Sequence, residues 1–427
     1  MKESDLIIIG AGPGGYKAAV HAAKHGLKVT IFEETNVGGT CLNVGCIPTK
    51  TYVHSATFAE AIERQQQVVE TLRGGVETLL SHPHITLIRG RASFVDPHTI
   101  QCSLPDGEDE MFTAPNIIVA TGSRAKLLPI PGADSKQVVT STELLQLREL
   151  PKRLCIIGAG VIGMEFASVF NRFGSEVTVV EYLKECLPML DSDIAKRLRK
   201  LLEKRGITFY MGSGVKAISN ASVIFEQKGK ELLVEADIIL MATGRMPNVS
   251  PDFTNAGFDY DERKGIAVDD IFETTVKGVY AIGDVNGKQM LAHAAEMQGV
   301  HVVNHILGKK DNIRFDVMPA AIFTNPEAAC VGPTEDQLKE SGMPFECHKS
   351  FYRANGKALA MSETEGMVKL CCEPDEGHLL SAHVFGAHAA DIVQEVTAYI
   401  NLGATLRQLR ETVHIHPTLS EVLIEVN

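Results

Sequence analysis

The sequence predicts an α/β protein with two Rossmann-like dinucleotide-binding domains followed by a C-terminal α+β domain. Three observations carry this expectation. An apolar strand run, a G-x-G-x-x-G turn and a helical pattern occur twice, 148 positions apart. Each copy ends on an acid 18 residues beyond its last glycine. From about Met318 onward, strand-like runs such as Met367–Cys372 alternate without any nucleotide motif.

The 427 residues suffice for two to four domains, and 44% hydrophobic with 22% charged residues is ordinary globular composition. A net charge of −12 with no basic block argues against nucleic acid and anionic membrane as partners. The chain enters a strand pattern at Asp5–Ile9, so no signal peptide is expected, and the longest apolar stretch, around Leu154–Phe170, is broken by glycines and charges. Nine unevenly spaced cysteines do not form a secreted framework, and without a C-x2-C pair or His cluster no metal site is expected. A soluble protein of the thiol-reducing cytoplasm fits best.

In the first copy, Leu6-Ile7-Ile8-Ile9 is the strand and Gly10, Gly12, Gly14 and Gly15 form the turn. The first glycine permits the tight turn, the second lets backbone approach a pyrophosphate, and the third lets helix and strand pack closely. Glu33, at the tip of the next strand, is placed to accept hydrogen bonds from ribose hydroxyls. The second copy repeats this with Gly158, Gly160, Gly163 and Glu181. One such motif is weak evidence; two in register, each with strand, helix and acid, make two dinucleotide sites.

Between the copies, Gly38-Gly39-Thr40-Cys41-Leu42-Asn43-Val44-Gly45-Cys46-Ile47-Pro48-Thr49-Lys50 carries two thiols five positions apart. Five residues of ideal helix rise about 7.5 Å, whereas a disulfide needs Cα atoms roughly 4.4 to 6.8 Å apart. A Cys41–Cys46 bond therefore requires a distorted turn, which Gly45 can supply, and Pro48 is expected to kink the helix that follows. A bond in irregular backbone near a helix N-terminus suits redox cycling. A thiol pair between two dinucleotide sites implies an electron relay, with FAD held tightly by the first copy and NAD+/NADH exchanging on the second. Glu181 favours NAD over NADP, because a carboxylate repels a 2′-phosphate and Tyr182-Leu183-Lys184-Glu185 contains no arginine to receive one.

This segment resembles the active-site signature of the class I pyridine nucleotide-disulfide oxidoreductases, and among them the dihydrolipoyl (lipoamide) dehydrogenases. The resemblance implies that Cys41 and Cys46 are the redox disulfide and that Gly39, Thr40 and Lys50 lie along FAD. It implies that Lys50 and Glu165 pair beside the flavin. Asn116–Gly122 and Asp237–Arg245 are apolar strands ending in Ala-Thr-Gly, which places Thr121 and Gly122 at FAD and Gly244 at NAD. Gly278–Val285 resembles the family's second FAD contact, with Asp284 on the ribityl chain and the N-terminus of the following helix aimed at the isoalloxazine. The C-terminal His414-Ile415-His416-Pro417-Thr418-Leu419-Ser420-Glu421 resembles the signature in which His416 is the acid-base catalyst and Glu421 orients it. An imidazole buried beside a carboxylate can take a thiol proton near neutral pH.

The resemblance further implies a homodimer whose sites are each built from both chains. The domains expected are 1–149 (FAD and the thiol pair), 150–270 (NAD), 271–315 (completing the FAD site) and 316–427 (interface). The implied activity is oxidation of dihydrolipoamide, carried on a lipoyl domain of a 2-oxo-acid dehydrogenase or glycine-cleavage complex, with NAD+ as acceptor. A glutathione-type reductase would carry arginines after Glu181, a soluble transhydrogenase lacks part of the cysteine pair, and a flavin-binding scaffold would not need the pair at all. Cys371-Cys372 is read as packing within a strand. One departure stands out: between the active-site helix near Thr57 and the helical run Glu63–Leu80, the chain is some tens of residues shorter than family members usually are.

Overall fold

The computed structural model describes residues 1–104 and 107–426. The chain divides into two compact units, residues 1–126 with 245–313, and residues 127–244 with 314–427. These joins differ from the expected boundaries at 149/150 and 270/271. Residues 127–149 go with the second unit, where Gly132 packs against the backbone of Ile218 and Val138–Val139 pairs with Ile238–Met241.

The first unit is built on a five-stranded parallel sheet ordered Val279–Ala281, Asn116–Val119, Leu6–Ile9, Val29–Glu33, Ile85–Arg89. Leu6–Ile9 is buried throughout, as expected of a parallel strand covered on both faces. Pro13 opens the helix Pro13–Lys24, where its missing N–H is harmless. That helix buries Gly14, Gly15, Ala18, Ala19, Ala22 and Ala23, small residues that admit the helix Ala292–Ile306 at close range. A Cβ on Gly14 would lie 2.9 Å from the Ala295 oxygen, and one on Gly299 would lie 2.8 Å from that of Gly14. The core beneath joins Ile7, Phe32, Phe94, Phe112, Ile117, Phe253 and Val279.

A single helix, Phe58–Leu80, follows the active-site helix after four residues. It starts five residues earlier than the expected Glu63, because Thr57 caps it by accepting the Glu60 N–H while Glu60 accepts that of Ala56. The shortened stretch is thus closed by a capped turn.

The second unit repeats the parallel sheet in the order Val138–Val139, Ile238–Met241, Arg153–Ile157, Glu176–Glu181, Thr208–Met211. The register repeats too: Leu6 pairs with Val29, and Leu154 with Val177. The unit also carries the C-terminal antiparallel sheet, ordered Ala320–Ile322, Glu327–Val331, Leu379–Gly386, Met367–Cys372, Glu346–Phe351. The helix Ala389–Asn401 covers it through Ile392, Val393, Val396 and Ile400. Among the described residues, no helix is long and apolar enough to cross a membrane.

Candidate active site

The two glycine turns are built alike. Gly10 and Gly158 have φ of 102° and 110°, in the left-handed region, and a Cβ on either would lie 2.4 Å from the carbonyl oxygen of Ala120 or Ala242. A Cβ on Gly15 or Gly163 would stand 1.9 or 2.0 Å from the oxygen of Gly10 or Gly158, so the third glycine is what lets the helix sit on the strand. Gly160, by contrast, faces open space, the place a pyrophosphate needs. Gly14, expected at FAD, also has the packing role described above.

The acids match as well. Glu33 accepts the Ala11 N–H at 2.9 Å and the Thr35 N–H at 2.9 Å; Glu181 accepts those of Ala159 at 2.5 Å and Leu183 at 2.7 Å. Each carboxylate ties its strand tip to the glycine turn. Arg199, the arginine of the helix Ser192–Lys204 that faces Glu185, is held between Glu185 and Glu203.

The thiol segment lies against the first turn: the Gly38 N–H donates to Ala11 O at 2.7 Å, and a Cβ on Gly39 would come 2.8 Å from Gly12 Cα. It forms two helices, Gly39–Val44 and Cys46–Val53, broken at Gly45, where a Cβ would lie 2.9 Å from Thr40 O. The break is at the expected glycine, but Pro48 does not kink the second helix. It occupies the first turn, where no intrahelical N–H bond is lost. Cys46 is the first residue of that helix, where backbone N–H groups favour a thiolate.

Cys41 and Cys46 carry thiols that interact with each other, without the expected disulfide between them. The Cys46 side chain, then burial, push the Cys41 thiol well above its ordinary value, and the Lys50 charge opposes them. The disulfide that is present joins Cys347 to Cys371, directly opposite on neighbouring strands with Cα atoms 4.2 Å apart. Cys371 is thus bonded, not merely packed, while Cys372 lies in the hydrophobic core.

Tyr16 and Arg245, which interact with the thiols, and Ser123 and Gln298, around the Asp284 turn, escaped sequence reasoning. Tyr16 is pushed up to about 12 by burial, then by Glu296 and Cys41. Arg245 faces Asp284 and feels the charge of Cys46, with burial holding it below the ordinary guanidinium value. It donates to the Ser123 hydroxyl and carbonyl, both at 2.7 Å, while Ser123 donates to Asp284. Arg245 directly follows the second Ala-Thr-Gly, and that position was the available signal. Asp284 lies in the 3-10 turn Gly283–Asn286, held by buried Gln298, which accepts the Gly283 N–H at 2.7 Å. No side chain caps the helix Ala292–Ile306 that follows. Thr121 donates to Asn248 O at 2.8 Å, which fixes the loop around Gly122; Gly244, three residues beyond the end of the strand Ile238–Met241, has φ of 103°.

Glu165, in the second unit, is 3% exposed and accepts the Phe323 N–H at 2.9 Å. His416 Nδ1 meets Glu421 Oε1 at 2.8 Å, and Glu421 also accepts the Thr418 N–H. That N–H, then His416, hold the Glu421 carboxyl below its ordinary value. The expected burial of His416 is not found: its side chain is 79% exposed in the single chain. Val413 and Ile415 beside it are exposed as well.

Residues 4–299 match the pyridine nucleotide-disulphide oxidoreductase family, and residues 318–426 match that family's dimerisation domain. The chain belongs to this family. It is 37% identical to the mitochondrial dihydrolipoyl dehydrogenase of Pisum sativum, covering 99% of this chain and 90% of that protein. It is 38% identical to the leghemoglobin reductase of Glycine max, over 99% and 87% respectively. Among solved structures, the HOCl-induced flavoprotein disulfide reductase RclA from Escherichia coli superposes with a TM-score of 0.90 at 32% identity, covering 99% of both chains. The alignment to the pea protein spans 457 positions against the 427 residues of this chain, in keeping with a shortened sequence. FAD and a nicotinamide dinucleotide are the cofactors of this flavoprotein family, and the two glycine turns with their acids fit them.

Proposed function

We propose that this oxidoreductase oxidises dihydrolipoamide with NAD+, with Cys41 and Cys46 as the redox pair and His416 as the base. The observation that carries this reading is the His416–Glu421 pair at 2.8 Å on an exposed C-terminal segment of the dimerisation domain. Exposed Val413, Ile415 and His416 favour a homodimer in which the partner subunit's His416 serves each cysteine pair. The relatives named dihydrolipoyl dehydrogenase support the substrate class, and a lipoyl domain of a 2-oxo-acid dehydrogenase or glycine-cleavage complex would present it.

In the oxidised enzyme Cys41 is bonded to Cys46. His416 takes a proton from one substrate thiol, and the thiolate attacks Cys41 Sγ, forming a mixed disulfide and releasing Cys46 as a thiolate. Glu421 fixes the imidazole tautomer and stabilises the imidazolium. The second substrate thiol, once deprotonated, displaces Cys41 and closes the cyclic disulfide. The enzyme dithiol then holds the two electrons, and FAD held along the first glycine turn would supply the redox chemistry that carries them on to NAD+. Overall, one dithiol and NAD+ become one disulfide, NADH and a proton. Cys46 at a helix N-terminus near Arg245, and Lys50 near Cys41, favour the thiolates; Glu33 and Glu181 hold the two dinucleotides in place.

The experiment is NADH formation from dihydrolipoamide by the purified yellow protein, with NADP+ measured in parallel. Fast NADH formation with little NADPH supports the reading. Bound flavin without turnover of either nucleotide overturns it and favours a disulfide reductase, the second reading suggested by the similarity to RclA.

A further inference from the structure

Among the described residues, one set of side chains outside the active site converges as metal ligands do. Glu346 and His348 are two residues apart on the edge strand Glu346–Phe351, so strand alternation puts them on one face. Cys372 stands directly opposite Glu346 on the neighbouring strand and shares that face. A ring nitrogen of His348, the Cys372 sulfur and a Glu346 carboxylate oxygen all lie within 4.8 Å of one another. Burial is graded from buried Cys372 through half-buried His348 to exposed Glu346, which leaves a route from solvent. His348 Nε2 is shielded from water, has no hydrogen-bond partner, and lies 3.7 Å from Glu346 Oε2. Burial, then the Glu346 charge, push the Cys372 thiol up to about 11, with Arg410 opposing them.

We propose that Glu346, His348 and Cys372 bind one zinc-like divalent transition-metal ion per chain. The donor set is the argument: thiolate and imidazole prefer Zn(II) or Co(II), whereas Mg2+ and Ca2+ seek oxygen alone. Bonds of about 2.0 to 2.3 Å in tetrahedral geometry require the donors to draw together, which rotation of the exposed Glu346 side chain allows. Three protein ligands leave a fourth position for water. On binding, Cys372 gives its proton to solvent and its sulfur bonds the ion; nothing is oxidised or reduced.

The site is independent of the redox chemistry. Cys347 and Cys371 are bonded to each other and, by alternation, point to the opposite face, so neither is a ligand. Cys41 and Cys46 belong to the other unit. Nothing in the linear sequence marks the site, because Glu-x-His meets its cysteine only through strand pairing.

The test uses the full-length flavoprotein carrying Cys41→Ser and Cys46→Ser, which removes the active-site thiols. Co(II) is titrated while metal content and the tetrahedral d–d bands, at wavelengths beyond flavin absorption, are followed. One Co(II) per chain, displaced by Zn(II), is expected, with Cys372→Ala and His348→Gln each weakening it by about tenfold or more. Equal Co(II) affinity with and without Cys372, or no tetrahedral signal in the parent, overturns the proposal. Should Cys372→Ala fail to fold, His348→Gln, at a half-buried position, decides in the same way.

Discussion

Lys369 Nζ lies 2.7 Å from Asp191 Oδ1, and the two side chains are 1% and 2% exposed. Asp191 caps the helix Ser192–Lys204 and also accepts the Glu335 N–H, so one carboxylate ties a helix start of the nucleotide-binding half to the antiparallel sheet within the second unit. Glu335 and Asp193 face the same ammonium. A buried pair is weak evidence of net stabilisation, but breaking one leaves a charge without compensation.

Lys369→Met should therefore destabilise the second unit by about 3 to 5 kcal/mol, read as a lower thermal midpoint. Adding Asp191→Asn should recover part of that loss. A midpoint unchanged by Lys369→Met would show that the network is not structural.

Burial alone would raise the Asp191 carboxyl, but the hydrogen bonds from Lys369 and the Glu335 N–H, with the Lys369 charge, outweigh it and hold the carboxyl at about 2. A carboxyl depressed in the folded state contributes stability that is present above its unfolded value and lost as pH falls through the folded one. Acid unfolding should accordingly lose a component between about pH 4 and pH 2, and Asp191→Asn should flatten the stability profile there. Equal slopes for both proteins across that window would contradict the assignment.

The proposed chemistry can be tested in two halves. Cys41→Ser should keep FAD and lower turnover of dihydrolipoamide by on the order of 10³-fold or more. Glu421→Gln should also keep FAD and slow kcat by about 10²- to 10⁴-fold, since it removes the acceptor 2.8 Å from His416 Nδ1. Near-normal kcat for Glu421→Gln would sink the orienting role.

What sequence reasoning reached and what it missed divide along physical lines. The glycine turns and their acids are local consequences of one strand-turn-helix unit, so Gly10, Gly15, Glu33 and their counterparts Gly158, Gly163, Glu181 were legible from spacing alone. Gly45 was legible for the same reason. Lys369 and Asp191, or Cys347 and Cys371, meet only through tertiary pairing, which leaves no periodic trace. The exposure of His416 was missed because the expectation of burial came from family sites completed by a second chain. Ser123 and Arg245 each directly follow an Ala-Thr-Gly, a signal that marks the positions, but the pairing of Ser123–Ala125 with Arg245–Pro247 that joins them is tertiary and leaves no trace in the sequence.

The proposed preference for NAD+ over NADP+ rests on Glu181. Its carboxylate meets the Ala159 and Leu183 N–H groups, so Glu181→Ala should raise the KM for NAD+ about tenfold or more. The NADP+ KM should fall relative to it, because the repulsion of a 2′-phosphate is removed. Thermal midpoints distinguish this from a loosened turn: a lower midpoint with unchanged nucleotide discrimination would assign Glu181 to structure alone.

The two kinds of motif glycine should fail differently. A Cβ on Gly163 would stand 2.0 Å from the Gly158 oxygen, inside backbone that cannot retreat without separating helix from strand. Gly163→Ala should therefore unfold the second nucleotide half or prevent its expression. Gly160 has nothing within 4 Å of the corresponding position and extended backbone, so Gly160→Ala should fold normally. Its methyl group would instead occupy the space through which a pyrophosphate approaches the helix N-terminus. NAD+ KM should rise about tenfold or more with unchanged thermal midpoint and unchanged flavin content. If Gly160→Ala binds NAD+ as the parent does, the second turn is a structural copy of the first, and the nicotinamide must bind elsewhere.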